Sequence, residues 1–294
     1  MIPAGPLVMG VLNLTPDSFS DGGRLSTIDA VMRQARRMVA QGASVLDLGA
    51  QSTRPGATEV GPAEELRRLL PALRALQDLR SKHPQMLISV DTFHAAVAAA
   101  ALEAGADWIN DVRGGNVTIA GPRDQRPDTL RDPAMLPLIA RAGCPYVLMH
   151  SRGTSQTMDS LAVYDDVVAE VRAELQTATD AALAAGVRPE QIIWDVGLGF
   201  AKSANQNLEL LRRLPQLMGT GHGTSPTLSY PLLVGPSRKR FIGEVLEEPR
   251  PRARLWGTAA VCALAVQAGA RVLRVHDVGP IAQTVRMAAA ISPR

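Results

Sequence analysis

Eight short apolar runs in this chain each end in, or lead into, residues that can hydrogen-bond or carry charge. In order these are Asn13; Asp47 with the following Ser52-Thr53-Arg54-Pro55-Gly56; Asp91-Thr92; Asn110-Asp111; Met149-His150; Asp195; Gly235-Pro236-Ser237-Arg238-Lys239; and Arg274-Val275-His276-Asp277. One Asp or Asn in such a place is commonly a helix cap. Capping does not call for acids, amides, a lysine and an arginine together, so the set reads as one binding mouth. Asp91, Asn110 and Asp195 supply acceptors plus an amide that both donates and accepts, which suits a planar heterocycle with an amino group and ring N–H donors. A guanine-like or pterin-like edge fits. Arg274 and His276, two residues apart on an extended segment, share a face and with Asn13 could hold phosphate oxygens; the alternative for the Arg274/His276 pair is an ion pair with a neighbouring acid. Ser237-Arg238-Lys239 reads as a basic turn opening a short helix, a place for phosphate or carboxylate.

The metal chemistry this set allows is narrow. There is no HxH, no HExxH and no carboxylate cluster at metal-ligand spacing, so a protein-caged zinc is not expected. Mg²⁺ held largely by a diphosphate, with Asn13 as the one protein oxygen, is compatible because Mg²⁺ prefers phosphate ligands and keeps its waters. Ser-His-Asp and Cys-His nucleophile schemes have candidates by composition only. Of 31 basic residues only Lys82, Lys202 and Lys239 are lysine. A lysine kept where arginine is otherwise used points to a need for a compact ammonium.

Something must bring these residues together, and the chain repeats one pattern that can. Five segments (Gln41 to Asp47, Ala104 to Asp111, Ala142 to His150, Ala185 to Asp195 and Ala268 to Asp277) run from a helix end through Gly into a short Val/Ile/Leu-rich stretch. Gly supplies the left-handed C-cap, and the stretch reads as a buried parallel strand. Adding Leu7 to Leu12, Leu87 to Asp91 and Leu232 to Gly235 gives eight strands. Helical stretches at Ile28 to Ala40, Pro62 to Arg80, Tyr164 to Ala184 and Arg254 to Gln267 separate them. Eight βα units in 294 residues predict an α/β protein, a single (β/α)8 TIM barrel over 1–294. A doubly wound sheet is the runner-up, but the first βα turn, Asn13 to Gly23, carries no GxGxxG. The stretches 113–131 and 219–231 exceed ordinary loop lengths and read as surface excursions.

Composition closes off other classes. Hydrophobic residues are 46% and charged residues 20% of the chain, which is globular usage, and no apolar run is longer than Ala259 to Val266, far short of a membrane span. The first ten residues do not read as a secretory signal. Cys144 and Cys262 sit in apolar segments and suggest no disulfide framework, so a cytoplasmic setting is expected. Net charge is +3, but the arginines are scattered and aromatics are 3%, so no nucleic-acid partner is expected.

In these residues the chain resembles the dihydropteroate synthase family. The resemblance spans nearly the whole chain: Met9 to Gly23, Ser52 to Ala57, Ser89-Val90-Asp91-Thr92, Ile109 to Val112, Leu148-Met149-His150, Gly197 to Lys202, Ser237-Arg238-Lys239 and Arg274 to Asp277. It implies condensation of 6-hydroxymethyl-7,8-dihydropterin diphosphate with 4-aminobenzoate, diphosphate departing before the amine attacks, by a homodimer. By the same resemblance Asp91, Asn110 and Asp195 bind the pterin, Met149 and Phe200 line its slot, and Lys239 reaches its carbonyl side. Asn13, through Mg²⁺, Arg274 and His276 hold the diphosphate. The first loop, with Phe19 and Asp21, and the second, with Thr53, Arg54 and Pro55, complete the aminobenzoate pocket. Both loops, Thr15 to Gly23 and Ser52 to Thr58, are expected to be mobile without ligand. The chain departs from the family at Val196 (usually Pro), at Ala50-Gln51 (usually Gly-Glu) and at Arg240 (a serine in some members). Two alternatives share the pterin pocket: a silent pterin-binding paralogue and a methyltetrahydrofolate:corrinoid methyltransferase. The latter would lack the first loop and the Ser-Arg-Lys turn.

Overall fold

The computed structural model describes residues 5–14, 27–51, 56–116, 131–217 and 230–292. Eight parallel strands close into a barrel in sequence order: β1 (Leu7–Asn13), β2 (Val45–Gly49), β3 (Leu87–Asp91), β4 (Trp108–Asp111), β5 (Tyr146–Met149), β6 (Ile192–Asp195), β7 (Leu232–Val234) and β8 (Val272–Val275). Helices α1 (Thr27–Ala40), α2 (Pro62–Lys82), α3 (Ala95–Glu103), α4 (Met135–Ala142), α5 (Val167–Ala184), α6 (Ala204–Arg212), α7 (Leu214–Leu217), α8 (Arg240–Val245), α9 (Leu255–Gln267) and α10 (Val278–Ile291) lie between and after the strands. This is the (β/α)8 barrel that the repeat predicts.

The five helix-to-strand glycines behave as the repeat requires. Gly42, Gly105, Gly143, Gly186 and Gly269 all take positive φ, between 70° and 100°, where a side chain would be strained. Several element boundaries shift by one to three residues, and two of the shifts have a clear cause or consequence. The helix expected from Tyr164 starts at Val167, because the Asp166 carboxylate accepts from the amides of Val168 and Ala169 and caps it there. The second strand runs past Asp47 to Gly49, which moves Asp47 from the strand end into the barrel wall.

Strand alternation builds two cores. Leu7, Met9, Val45, Trp108, Val147, Ile193, Leu233 and Val272 form an apolar plug inside the barrel. The opposite parity, such as Leu46, Leu48, Ile109 and Leu148, joins the larger core under the helices. Each such side chain removed from water contributes roughly 1.5–3 kcal/mol. The plug fills the lower barrel, so anything bound must sit above it.

Candidate active site

Inward parity continues past the plug. Two residues beyond Val45 is Asp47; beyond Leu87, Ser89 and then Asp91; beyond Trp108, Asn110; beyond Val147, Met149; beyond Ile193, Asp195; beyond Val272, Arg274 and then His276; and beyond Met9, Val11 and then Asn13. The register confirms the level, pairing Gly49 with Asp91 and Asp91 with Asn110. An apolar floor is thus capped by a polar layer at the C-terminal mouth, where barrel enzymes carry their sites.

Asp47, fully buried, ties this layer together across four strands. Its Oδ1 accepts from the Ser89 hydroxyl at 2.6 Å, and its Oδ2 accepts from Asn110 Nδ2 at 3.1 Å and Arg274 Nε at 2.6 Å. A second Arg274 nitrogen donates to Asp91 Oδ2 at 2.6 Å. Arg274 therefore makes the ion pair foreseen as its alternative role, with two acids, and these bonds use two of its five N–H donors. Burial raises the Asp91 pKa, with Arg274 opposing and the like charge of Asp47 adding to the rise. Burial alone would favour neutral Arg274, but Asp47 and Asp91 outweigh it and raise its pKa.

On the opposite wall, Asp195 Oδ1 accepts from the Gly197 amide at 2.8 Å. Burial raises its pKa and Lys239 opposes the shift. Lys239 caps α8; its ammonium donates to the Leu198 carbonyl and lies 4.9 Å from the centre of the Phe200 ring. Burial pushes Lys239 down to about 8 against the pull of Asp195. Gly199 beneath it takes φ of 75°, where a side chain would be strained, and a Cβ there would press on the lysine chain at 3.1 Å. Met149 and Phe200 pack with Phe93 and Val112 into a small apolar cluster at the mouth. A cleft lined by Phe93, Val112, Arg113, Ser151 and Phe200 opens beside it. His276 follows β8, its Nδ1 hydrogen-bonded to the Ser237 hydroxyl at 3.0 Å. Arg238, with φ of 63°, is paired with Asp277 and pins the basic turn to the end of β8.

Asp91, Asn110, Met149, Asp195, Phe200, Lys239, Arg274 and His276 thus surround one mouth, with Asn13 ending β1 on its rim. Phe19, Asp21, Thr53, Arg54 and Pro55 lie outside the described residues, as does most of both loops expected to be mobile. The end of the second loop is anchored: the Gly56 amide donates to the Ser155 carbonyl, Ser155 Oγ donates to the Ala57 carbonyl, and Glu59 pairs with Arg113. Two of the departures from the family pattern are accounted for. Gln51 donates to Glu65, whose carboxyl burial pushes up to about 7, and Arg240 is a surface residue facing Asp159 and Glu244. Sequence reasoning left Asp47 and Lys202 without roles. The alternation from Val45 signals the first, and the scarcity of lysine signals the second.

A barrel with a plugged floor, a hydrogen-bonding wall for a flat heterocycle and cations at the rim defines the class, and comparison agrees. The model of the pterin binding enzyme family matches residues 9–276. A dihydropteroate synthase of Synechocystis is 45% identical over 97% of this chain and 89% of its own length. Two solved structures superpose throughout. Dihydropteroate synthase of Xanthomonas albilineans with 4-aminobenzoic acid has 40% identity and a TM-score of 0.83, over 99% of this chain and 95% of that one. The Yersinia pestis enzyme with a sulfonamide drug has 36% identity and a TM-score of 0.82, over 97% and 94%. The chain belongs to the pterin-binding enzyme family and, within it, to the dihydropteroate synthases.

Proposed function

We propose that this chain joins 4-aminobenzoate to 6-hydroxymethyl-7,8-dihydropterin diphosphate, giving 7,8-dihydropteroate and diphosphate. The observation that carries the reading is the polar layer itself: Asp91, Asn110 and Asp195 converge by strand parity on a space walled by Met149 and Phe200. The carboxylates and the Asn110 amide read the amino group and ring N–H donors of the pterin, while Lys239 donates to its carbonyl side. Arg274 and His276 hold the diphosphate. The bond from the methylene carbon to the diphosphate oxygen breaks with its electron pair going to oxygen. Positive charge left on the carbon spreads into the pterin ring, where the buried Asp195 carboxylate stabilises it. The amine nitrogen of 4-aminobenzoate then supplies the pair for the new C–N bond and loses a proton. Asp21, Arg54, Phe19, Thr53 and Pro55 complete the aminobenzoate pocket, and the pterin diphosphate binds first.

The mouth also fits Mg²⁺. Phosphate oxygens would supply most of its ligands, and Asn13, ending β1 on the rim, is a hard oxygen donor of the kind it takes. Asn13 would contribute the protein oxygen. When bound, Mg²⁺ neutralises charge on the departing diphosphate.

We further propose a homodimer in the cytoplasm. Trp256 and Leu264 on α9 and Met287 and Ile291 on α10 are 61–77% exposed on a packed helix pair, an apolar face suited to a second copy. No described helix is long and apolar enough to cross a membrane.

The test of function is diphosphate release measured with both substrates, with the pterin alone and without Mg²⁺. Release matched by dihydropteroate formation only when both substrates are present is the expected result. Background-level release with everything supplied would refute the activity, and full activity in excess chelator would refute the metal.

A further inference from the structure

Behind the polar layer, between the wall strands and α5, lies a second buried charge group that the reaction above does not use. Lys202 is 3% exposed. Its ammonium lies 2.8 Å from His150 Nδ1, 3.2 Å from the Gly197 carbonyl and 3.0 Å from the Phe200 carbonyl. His150 Nε2 is 3.0 Å from Glu174 Oε2, and because a carboxylate only accepts, that nitrogen carries the proton and Nδ1 is the acceptor. Lys202 thus has three acceptors for three N–H donors. Although burial lowers its pKa, the full set of bonds needs the ammonium form.

Those acceptors mark the two ends of a tight turn. Phe200 N–H donates to the Gly197 carbonyl at 3.0 Å, and Gly199 takes φ of 75° at the third position, as a type II turn requires. The turn is also pressed close to the barrel, since a Cβ on Gly197 would fall 1.9 Å from the His150 carbonyl. Asp195 accepts from its first amide, Leu198 accepts from Lys239, and Phe200 forms part of the apolar cluster. Asp195, Lys239 and Phe200, on this wall of the pterin slot, are therefore all tied to where the turn sits.

We infer that Lys202 is a positioning residue of the pterin slot: its ammonium clamps both ends of the Gly197–Phe200 turn, and His150 and Glu174 anchor the clamp from behind. Arginine cannot replace it, because a planar guanidinium cannot present three donors to acceptors gathered around one point. The consequence for substrate binding rests on the proposed function, but the clamp itself does not.

Two variants and two measurements test it. In ligand-free protein, amide exchange at Gly199 and Phe200 should speed up roughly tenfold or more in Lys202→Met, with the β2 to β4 amides unchanged. Calorimetry with 6-hydroxymethyl-7,8-dihydropterin diphosphate and Mg²⁺ should show binding weakened roughly tenfold or more. The KM for 4-aminobenzoate at saturating pterin should stay within about threefold, a split that general destabilisation would not give. Lys202→Arg keeps the cation and should show the same losses, and it carries the test if Lys202→Met does not fold. Unchanged exchange at Gly199 and Phe200, or full recovery in Lys202→Arg, would overturn the inference. Failure of the unaltered protein to bind the pterin diphosphate would instead strike the proposed function, leaving the exchange result to decide the clamp.

Discussion

Two buried ionic networks among the described residues of this barrel are built to opposite rules. In the group behind the wall, Arg152 uses Nε and both terminal nitrogens on Glu174, Glu170 and the Val163 carbonyl, both Glu174 oxygens accept, and Lys202 has three acceptors. Its centre is sealed: His150 is 0%, Glu174 3% and Arg152 7% exposed at the side chain, and Glu170, at 33%, links it to the surface. The Asp47–Asp91–Arg274 group at the mouth is more open, with Arg274 23% and Asp91 13% exposed and guanidinium donors to spare. A saturated network fixes structure; an open one still has bonds to offer a ligand.

The largest effect should come from opening the closed network. Glu174→Gln removes the buried charge opposite Arg152 and leaves one acceptor oxygen where Arg152 and His150 share two, and should destabilise the protein by about 3–5 kcal/mol, read by urea unfolding. A loss no greater than that of an exposed pair would erase the contrast.

Acid should separate the networks next. Burial, and then Lys202, hold His150 down to about 4, from an ordinary 6.5. Burial alone would raise Glu174, but hydrogen bonds from His150 and Arg152 override it and hold the carboxyl at about 2. In this window the unfolded chain binds the extra protons, so the closed network loses stability as pH falls from about 6.5 to 4 through His150, and again below about 4.5 through Glu174. Asp91 has the opposite sign: its raised pKa means that the folded form holds the proton longer, so its contribution is present at low pH and lost as pH rises. Set against the unaltered protein, the stability gained between pH 4 and 6.5 in unfolding measurements should be smaller by roughly 1–3 kcal/mol in His150→Gln and larger in Asp91→Asn. Identical slopes in all three proteins would contradict the assignment.

Smaller still, Asp47→Asn keeps hydrogen bonds to Ser89 and Asn110 but weakens the hold on Arg274. It should reduce stability by about 1–2 kcal/mol while lowering affinity for diphosphate, measured by unfolding and by calorimetry. Arg240→Ser sets the lower end. Its partners Asp159 and Glu244 are exposed and at 3.5–3.6 Å, so stability should change by less than about 0.5 kcal/mol in the same unfolding assay.

What the sequence disclosed follows the same division. Strand-end residues such as Asp91, Asn110 and Asp195 could be read because parity and the Gly-capped repeat act locally. Asp47 was hidden by a two-residue error in where β2 ends, and its partners come from β3, β4 and β8, a convergence that no local pattern encodes. Lys202 was visible as an oddity of composition and as the end of a family motif, without a role in either. The reason for a lysine there, two carbonyls and an imidazole nitrogen around one point, exists only after the chain has closed.

The central claim is that the polar layer above the plug recognises the pterin, and Asp195 tests it most directly. Asp195→Asn retains an oxygen for the Gly197 amide, so the fold should survive, while one charge-assisted acceptor for the heterocycle is lost. Calorimetry with the pterin diphosphate and Mg²⁺, run beside thermal unfolding of both proteins, should show binding weakened roughly 10- to 100-fold at nearly unchanged Tm. An unchanged dissociation constant would remove Asp195 from the site and contradict the account.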